Sequence, residues 1–403
     1  MSNTFEFVGT ISPCKETENF KPYKTIWFDG SDWGKKSLMF NIHCGNNRHT
    51  VEIDDLITKD NSKRQIHTFT KGTVDSSGNR SKGESFIVEY KDRNKQSVLD
   101  KVAEFKKFIV DTETFGKRFK LEKVIDKFKD GSVTDEMMET LGVHSVEEAE
   151  TALAESKKKR HEYICADDFI EYLNKFVNSD KIKGVKFQIK GEYNIEYNER
   201  DNKWYRKFFV NRIYKAPADA ETMSQGTFIT YFGENAIDDT NFSDTKKMTA
   251  NVYVQQYLNK YKKNCLCPIS LIIDGNGDEK AEKKALAIKK KFSANENEYK
   301  ELGVTIDFID GAQETEISDD MLSEEQKENL ELGLITMDDI KKELGKPVYG
   351  DRVKEIVITG LARGYSNGAK PTAYDEKDFA LPNSSVTEKD DIDTDLDDID
   401  LDI

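Results

Sequence analysis

The sequence has few of the features that mark membrane-spanning or secreted proteins. Only 36% of its 403 residues are hydrophobic, and no stretch approaches the apolar length of a membrane span, about 18 residues. The amino-terminal segment MSNTFEFVGT has neither the basic start nor the apolar core of a signal peptide. The sequence therefore predicts a cytoplasmic protein that does not interact with a membrane.

Cysteine is equally scarce, and its five residues are too scattered for a disulfide framework, which favours a reducing compartment. Cys265 and Cys267 are separated by one residue instead of the two residues of a zinc knuckle. No second pair of Cys or His residues lies at the spacing of a zinc finger. We therefore expect neither a metal nor a cofactor.

The common catalytic motifs are absent too. The sequence contains no GxxxxGKS or GxxxxGKT phosphate-binding loop, no GxGxxG between a strand and a helix, no HExxH and no GxSxG. The segment from Asp274 to Asp278 is similar to the start of a calcium loop. However, Glu279 replaces the glycine that such a loop needs, and Ala285 replaces its bidentate glutamate. These absences predict a protein that is not an enzyme.

Charged residues, in contrast, are abundant and unevenly distributed. The net charge is −15, with 61 basic and 76 acidic residues. Residues 388–403 contain nine acidic residues and one lysine, whereas residues 181–215 contain ten basic and four acidic residues. Residues 246–263 add five lysines and no acidic residue. Because the charge is segregated, the basic segments can bind a polyanion in spite of the negative net charge.

The periodicity of the hydrophobic residues divides the chain into four predicted parts of an α+β fold. Alternating segments in residues 1–96 predict five or six strands of a small barrel or sandwich. Residues 97–180 have helical periodicity and predict a helical connector. Residues 181–375 predict a second, elaborated β domain with helical insertions, and the largely acidic residues 376–403 predict a disordered tail.

One predicted strand combines aromatic and basic side chains in a way that is typical of nucleic-acid binding. Strand alternation places four of these residues on one face of the strand and Lys207 on the other. The four are Trp204, Arg206, Phe208 and Arg212. Basic side chains contact the phosphates of a nucleic acid, and aromatic rings stack on its bases. Each stacked base contributes about 1–3 kcal/mol to the binding free energy. Aromatic strand residues often belong to the core, but a core face does not hold two arginines without partners. We expect the cationic face to bind nucleic acid.

Two further groups of residues are candidates for the same role. A predicted strand-turn-strand near the amino terminus and the loop that follows contribute Trp27, Trp33, Lys35, Lys36 and Arg64. Loops between barrel strands commonly bind oligonucleotides, although Trp27 alternatively fills the interior of a barrel. A basic segment later in the chain contributes Tyr257 and Lys260. This segment is either an edge that contacts phosphates or a solvated basic stretch.

The carboxyl-terminal tail alternates acidic residues with Ile and Leu. Such a segment either competes with nucleic acid for the basic groove of its own chain or places its apolar end in a partner protein. A third interpretation is an acidic tail that only increases solubility. The residues that we expect to contact a partner protein are Asp398, Asp400, Leu401, Asp402 and Ile403.

With aromatic and basic strands, two β regions and an acidic tail, the chain resembles the single-stranded DNA-binding proteins of replication, in particular those of large bacteriophages. The resemblance covers residues 1–95, residues 184–365 and the tail. It implies two OB-like β barrels, and a role in coating single-stranded DNA during replication or recombination. It further implies that the tail recruits replication or recombination proteins, that a homo-oligomer can form, and that the protein acts in the cytoplasm of a bacterial host.

Family tails commonly end in Pro-Phe or another aromatic residue, whereas this chain ends in Asp-Leu-Asp-Ile. The tail is therefore expected to bind the replication proteins of the phage itself. Two other functions stay open at the level of sequence. One is a phage structural or assembly protein that does not bind nucleic acid. The other is an adaptor that binds proteins through its acidic segments.

Overall fold

The computed structural model describes residues 3–62, 64–72, 81–198, 203–258, 262–314, 322–337, 339–340 and 349–379. Strands dominate, as the following bounds show. The strands are β1 (Thr4–Pro13), β2 (Tyr23–Trp27), β3 (Trp33–Cys44), β4 (Asn47–Thr58), β5 (Gln65–Phe69), β6 (Ser85–Glu89), β7 (Phe108–Asp111), β8 (Arg160–Tyr163), β9 (Lys186–Asn198), β10 (Lys203–Lys215), β11 (Met223–Phe232), β12 (Ile237–Asp238), β13 (Lys247–Leu258), β14 (Lys263–Asp274), β15 (Lys300–Glu314), β16 (Tyr349–Leu361) and β17 (Lys370–Pro371).

The helices are fewer, and several are a single turn. They are α1 (Gln96–Leu99), α2 (Phe115–Asp130), α3 (Asp135–Leu141), α4 (Val146–Lys158), α5 (Ala166–Val177), α6 (Phe242–Thr245), α7 (Glu279–Lys291), α8 (Glu324–Glu331) and α9 (Glu376–Phe379). The predicted α+β class is confirmed. Among the residues that the structure describes, no helix has the length and apolar content that crossing a membrane requires.

Five strands form a first closed ring. Strand β1 pairs antiparallel with β3 and β9, β3 pairs antiparallel with β4, and β9 pairs antiparallel with β10. A parallel pairing of β10 with β4, which sets Phe208 beside Val51, closes the circle. Alternate residues of these strands point inward, and Phe40, Ile53 and Ile189 are fully buried there.

Five later strands form a second ring with the same pattern. Strand β11 pairs antiparallel with β13 and β15, β13 pairs antiparallel with β14, and β15 pairs antiparallel with β16. The circle again closes through a parallel pair, in which Ile272 of β14 lies beside Val357 of β16. Fully buried side chains of this ring include Phe228, Leu271 and Val304.

The two rings share hydrogen bonds through β1. Residues Thr4 to Val8 pair with β9 on one edge and with β11 on the other, so a single sheet contains both rings, with fifteen strands in the described part of the chain. The first ring needs β9 and β10, which lie in the range predicted for the second domain. The boundaries predicted at residues 96 and 180 therefore do not separate the rings, because the parallel partners that complete the first ring are distant in sequence.

Helix α5 covers one end of the first ring. Its apolar residues recur at helical spacing, and Phe169, Ile170 and Leu173 are fully buried in the same core as Leu38 and Ile53 of the ring. Helix α7 occupies the equivalent place in the second half of the chain, between β14 and β15, and it buries residues of its own against β14. In each ring, the helix that packs against the ring lies in the connection between the third and fourth strands, although the connection of the first ring also contains α1 to α4.

Helices α2, α3 and α4 form a small unit between β7 and β8, with its own core around Leu121, Val124 and Ala149. A buried ion pair between Arg118 of α2 and Asp111 of β7 attaches this unit to the sheet. The predicted helical connector therefore contains helices and, in addition, two strands of the sheet.

Gly9 lies where β1 changes its partner from β11 to β3, and it approaches the backbone of β3 closely. A Cβ atom at Gly9 would lie 2.0 Å from the carbonyl oxygen of His43. We expect Gly9→Ala to lower the free energy of unfolding by about 2 kcal/mol, because the strands must move apart. Urea denaturation measures this change.

Gly116 is the matched control, since a Cβ atom there meets nothing within 4 Å and the residue lies in a helix. We expect Gly116→Ala to be neutral or to stabilise the protein by up to about 1 kcal/mol. Equal stability of Gly9→Ala and the wild type would contradict the close packing of β1 against β3.

Candidate nucleic-acid interface

A cleft of about 480 Å³ lies where the two rings meet. Its walls come from β3, β4, β9 and β10 of the first ring, from β14, β15 and β16 of the second ring, and from the connection between β1 and β2. The lining residues are Cys14, Lys15, Phe20, Met39, Asn41, Arg48, His49, Thr50, Tyr193, Arg206, Phe208, Ser270, Ile272, Phe308, Ile309, Asp310, Arg352, Lys354, Glu355 and Ile356.

Aromatic side chains from both rings form the floor of the cleft. Phe208 of β10 meets Phe308 of β15 edge to face, with ring centroids 4.8 Å apart. Tyr193 of β9 lies 5.3 Å from Phe208 and 5.5 Å from Phe308. Phe7 of β1 contacts Phe208 from below at 4.9 Å. The floor is therefore a rigid aromatic surface whose position depends on both rings.

The rim of the cleft is cationic. Five of the lining side chains are positive: Lys15, Arg48, Arg206, Arg352 and Lys354. The two carboxylates in the lining already have cationic partners, because Arg352 binds Asp310 at 2.7 Å and Lys247 binds Glu355 at 2.8 Å. A surplus of positive charge at this place, in a chain of net charge −15, favours an anionic ligand.

Among these cations, Arg206 has buried hydrogen-bond donors without acceptors in the described residues. Its Nε and Nη2 atoms are buried, and neither has a hydrogen-bond partner in the described part of the chain. A guanidinium group carries five N–H donors, and a buried donor without an acceptor costs about 1–3 kcal/mol. A ligand with anionic oxygen atoms would remove this cost, so the geometry of Arg206 points to an anion in the cleft.

A chain of buried hydrogen bonds holds the two rings in register beneath the cleft. The Ser224 hydroxyl donates to the carbonyl oxygen of Phe308 at 2.8 Å, so its single hydrogen is used. His49 Nε2, 2.6 Å from the same hydroxyl, must therefore donate. Burial, assisted by the charges of Lys354 and Arg352, lowers the pKa of His49 to about 3. His49 is thus a neutral structural link and not a cation of the cleft.

The structure divides the residues that the sequence predicted on β10. Arg206 and Phe208 line the cleft, as described. Trp204 is half-buried and packs against Tyr197 with centroids 4.9 Å apart, outside the cleft lining. Lys207 lies on the opposite face and forms ion pairs with carboxylates of two neighbouring strands. The positive charge of Lys207 is therefore compensated within the protein.

Arg212 does not share a face with Arg206 and Phe208, contrary to the alternation expected from the sequence. A β-bulge lies between Val210 and Arg212, where the pairing with β9 shifts by one residue. The bulge turns Arg212 to the other face, where its Nη2 atom donates to the carbonyl oxygen of Glu104 at 3.2 Å.

Lys36 and Arg64 lie at the end of the first ring that α5 covers. Lys36 donates to Asp167 at 2.5 Å and to Glu171 at 2.7 Å, and Arg64 binds Asp55 at 2.7 Å. Burial opposes the charge of Lys36, but these hydrogen bonds outweigh it and raise the pKa of Lys36. Neither residue lines the cleft. Both attach α5 and the loop after β4 to the ring.

Trp27, Trp33 and Lys35 lie on the hairpin of β2 and β3, on a surface separate from the cleft. The two tryptophans are 41% and 49% exposed, and Lys35 forms an ion pair with Asp54 at 2.9 Å. Six residues of β3, about 20 Å, separate Trp33 from Met39 in the cleft.

The remaining predicted residues lie elsewhere or are not described. Tyr257 is 52% exposed near the end of β13 and does not line the cleft. Six predicted residues lie outside the described part of the chain: Lys260, Asp398, Asp400, Leu401, Asp402 and Ile403. Their assignments stay predictions.

Sequence reasoning missed most of the cleft, because its residues come from segments that are far apart in the chain. Arg352 lies about 300 residues after Lys15 and Arg48 and in a different predicted domain, and none of the three belongs to an aromatic and basic segment like that of β10. One signal was available. Arg352 and Lys354 are two residues apart in β16, an alternation that places both side chains on one face.

Comparison with known proteins identifies no family for this chain and a low similarity to a solved structure. No protein-family model matches the chain, and no curated protein matches it. Among solved structures, the chain is similar to the crystal structure of a deletion mutant of the single-stranded DNA binding protein from Thermus aquaticus. That similarity has 9% sequence identity and a TM-score of 0.27, and it covers 76% of this chain and 86% of that chain.

Lys36 provides a test of the structural role of the ion pairs at α5. We expect Lys36→Met to lower the free energy of unfolding by about 2 kcal/mol, because buried Asp167 and half-exposed Glu171 lose their shared cation. Urea denaturation at neutral pH measures the loss. Lys91→Met is the control, since its ion pair with Glu89 is exposed and contributes little to stability. Equal effects of the two substitutions would contradict this role.

Proposed function

We propose that the cleft binds single-stranded DNA. The observation that carries the proposal is the pair of buried Arg206 donors, Nε and Nη2, which have no acceptor in the described chain and belong to a residue beside an aromatic floor. Phosphates supply anionic acceptors for the rim, and a base supplies a flat face for Phe208, the partly exposed ring of the floor. Proteins that bind single strands without sequence preference combine these two elements, with about 1–3 kcal/mol for each stacked base.

The strand pattern supports this proposal. We propose that each ring is an OB-type barrel, a five-stranded architecture whose second and third strands and connecting loops bind oligonucleotides. In the first ring the second and third strands are β3 and β4, which contribute Asn41 and Arg48 to the cleft. The connection between the first and second strands contributes Lys15 and Phe20. The cleft thus lies where an OB-type barrel binds its ligand.

The shape of the cleft favours a single strand over a duplex. The aromatic floor lies beneath a cationic rim, so a ligand must present base faces inward and phosphates outward at the same time. A duplex hides its base faces in the stack, whereas an unpaired strand exposes them.

In the cell, the proposed role is to coat single-stranded DNA during phage replication or recombination, without catalysis. The acidic tail then recruits replication or recombination proteins, or competes with DNA for the cleft. The hairpin residues Trp27, Trp33 and Lys35 extend the nucleic-acid surface in this proposal.

One observation favours a second function, an assembly protein that does not bind nucleic acid. The hairpin of β2 and β3 exposes four large apolar side chains, each more than 40% accessible: Ile26, Trp27, Phe28 and Trp33. Exposed apolar patches of this kind often contact other proteins. An assembly protein would form oligomers that are insensitive to salt, and it would not bind DNA.

The deciding experiment is fluorescence anisotropy of labelled oligo-dT, with a duplex control and a salt titration. We expect Arg206→Gln to weaken binding about tenfold or more, because a charge-assisted hydrogen bond is lost. Arg48→Gln should weaken binding as well, and each substitution should reduce the slope of log affinity against log salt by about 0.7 for each lost phosphate contact.

Arg363→Gln is the matched control, because Arg363 is exposed and does not line the cleft. Thermal melting of each variant shows whether the fold is retained. Normal affinity of well-folded Arg206→Gln and Arg48→Gln variants would exclude the cleft as the binding site. No binding by the wild type would exclude the proposed function and favour the assembly protein.

A further inference from the structure

Helix α2 presents a face whose composition the cleft does not explain. Gly116, Lys120, Lys123 and Lys127 recur at spacings of three and four residues, and Phe119 lies four residues before Lys123, which places all five on one face of the helix. We call these five residues the α2 stripe. The opposite side of α2 packs into the core of the helical unit, so the α2 stripe faces outward.

The three lysines of the α2 stripe make no ion pair within the described residues. Other lysines of the helical unit do form such pairs: Lys117 with Glu113 at 3.5 Å, Lys129 with Glu150 at 3.5 Å and Lys157 with Glu122 at 3.9 Å. A carboxylate also lies near the α2 stripe, because Asp130, three residues after Lys127, interacts with the charge of Lys127. No carboxylate of the described residues, however, forms an ion pair with the three lysines of the stripe.

An aromatic ring accompanies these charges. Phe119 is 47% exposed, and the Lys123 ammonium lies 4.4 Å from the centroid of its ring. A simple anion needs only the lysines, whereas a ligand with both phosphates and unpaired bases uses cations and an exposed ring together. The composition of the α2 stripe thus fits single-stranded nucleic acid better than an acidic peptide.

We propose that the α2 stripe is a second contact for single-stranded DNA, which binds the part of the strand that extends beyond the cleft. The proposal rests on the function proposed for the cleft. The two surfaces lie toward opposite ends of β10. Arg206 lines the cleft, while Tyr214 pairs with Asp111, four residues before α2 begins. The eight residues between Arg206 and Tyr214 span about 26 Å.

This separation makes the length of the DNA a test. A short oligo-dT of about 6 nucleotides fills the cleft alone, whereas one of about 35 nucleotides reaches both surfaces. The test variant is the triple substitution Lys120→Gln, Lys123→Gln and Lys127→Gln. The matched control is Lys117→Gln, Lys129→Gln and Lys157→Gln, which removes the same charge from ion-paired lysines of the same helical unit.

We expect the test variant to bind the long oligo-dT about tenfold more weakly than the wild type, and the short one with unchanged affinity. Its salt slope for the long oligo-dT should fall by about 2, since three phosphate contacts are lost at about 0.7 each. The control variant should match the wild type for both lengths. Circular dichroism and thermal melting verify that both variants fold.

Three results would overturn the proposal. Test and control variants that bind the long oligo-dT equally well would show that the α2 stripe does not contact DNA. Equal losses for both lengths would show a general charge effect. Tighter DNA binding by the test variant, reproduced by cutting the wild-type chain before Ser384, would identify the acidic tail as the occupant.

A different result would contradict the proposal that the cleft binds DNA. In that case the Arg206→Gln variant would bind the short oligo-dT with normal affinity, independently of the results for the triple variants. The two proposals therefore fail in different experiments.

Discussion

The structure depends on the hydrogen bonding of β1 along both of its edges. Residues Thr4 to Thr10 pair with β9 on one edge, while the other edge pairs first with β11 and then, after Gly9, with β3. This exchange of partners joins two rings of strands through a single strand. It also requires the backbone of β1 to approach β3 so closely at Gly9 that no side chain fits. The cleft lies at the junction that β1 creates.

Because the cleft lies at a junction, its properties depend on how the rings are held together. Phe208 and Phe308 come from different rings, and their edge-to-face contact forms the floor only when the rings are docked. Buried polar contacts maintain this docking. His49 binds Ser224, and the Asn47 side chain accepts a hydrogen bond from the backbone N–H of Asp310 at 2.9 Å. Ser224 and Asn47 do not line the cleft, so a substitution at either residue would disturb the floor without removing a residue that faces a ligand.

Basic residues play two different roles in this chain, and only their neighbours distinguish them. Lys36, Arg64 and Lys207 bind carboxylates and hold elements of the fold together. Two buried donors of Arg206 have no acceptor in the described residues, and the lysines of the α2 stripe form no ion pair there. The residue types are the same in both groups. The function proposed for the second group follows from the absence of these direct contacts, which is a property of the folded protein.

The sequence by itself determined the α+β class, most strands and helices, and the aromatic and basic character of β10, because alternation and helical periodicity are local properties. It also singled out Arg206 and Phe208. Only the tertiary structure decided the composition of the rings, since parallel pairs such as β4 with β10 join segments that are about 150 residues apart. Only the structure revealed the bulge that turns Arg212 away and the carboxylates that neutralise Lys36. Pairing and charge compensation depend on contacts between distant residues, which no local pattern encodes.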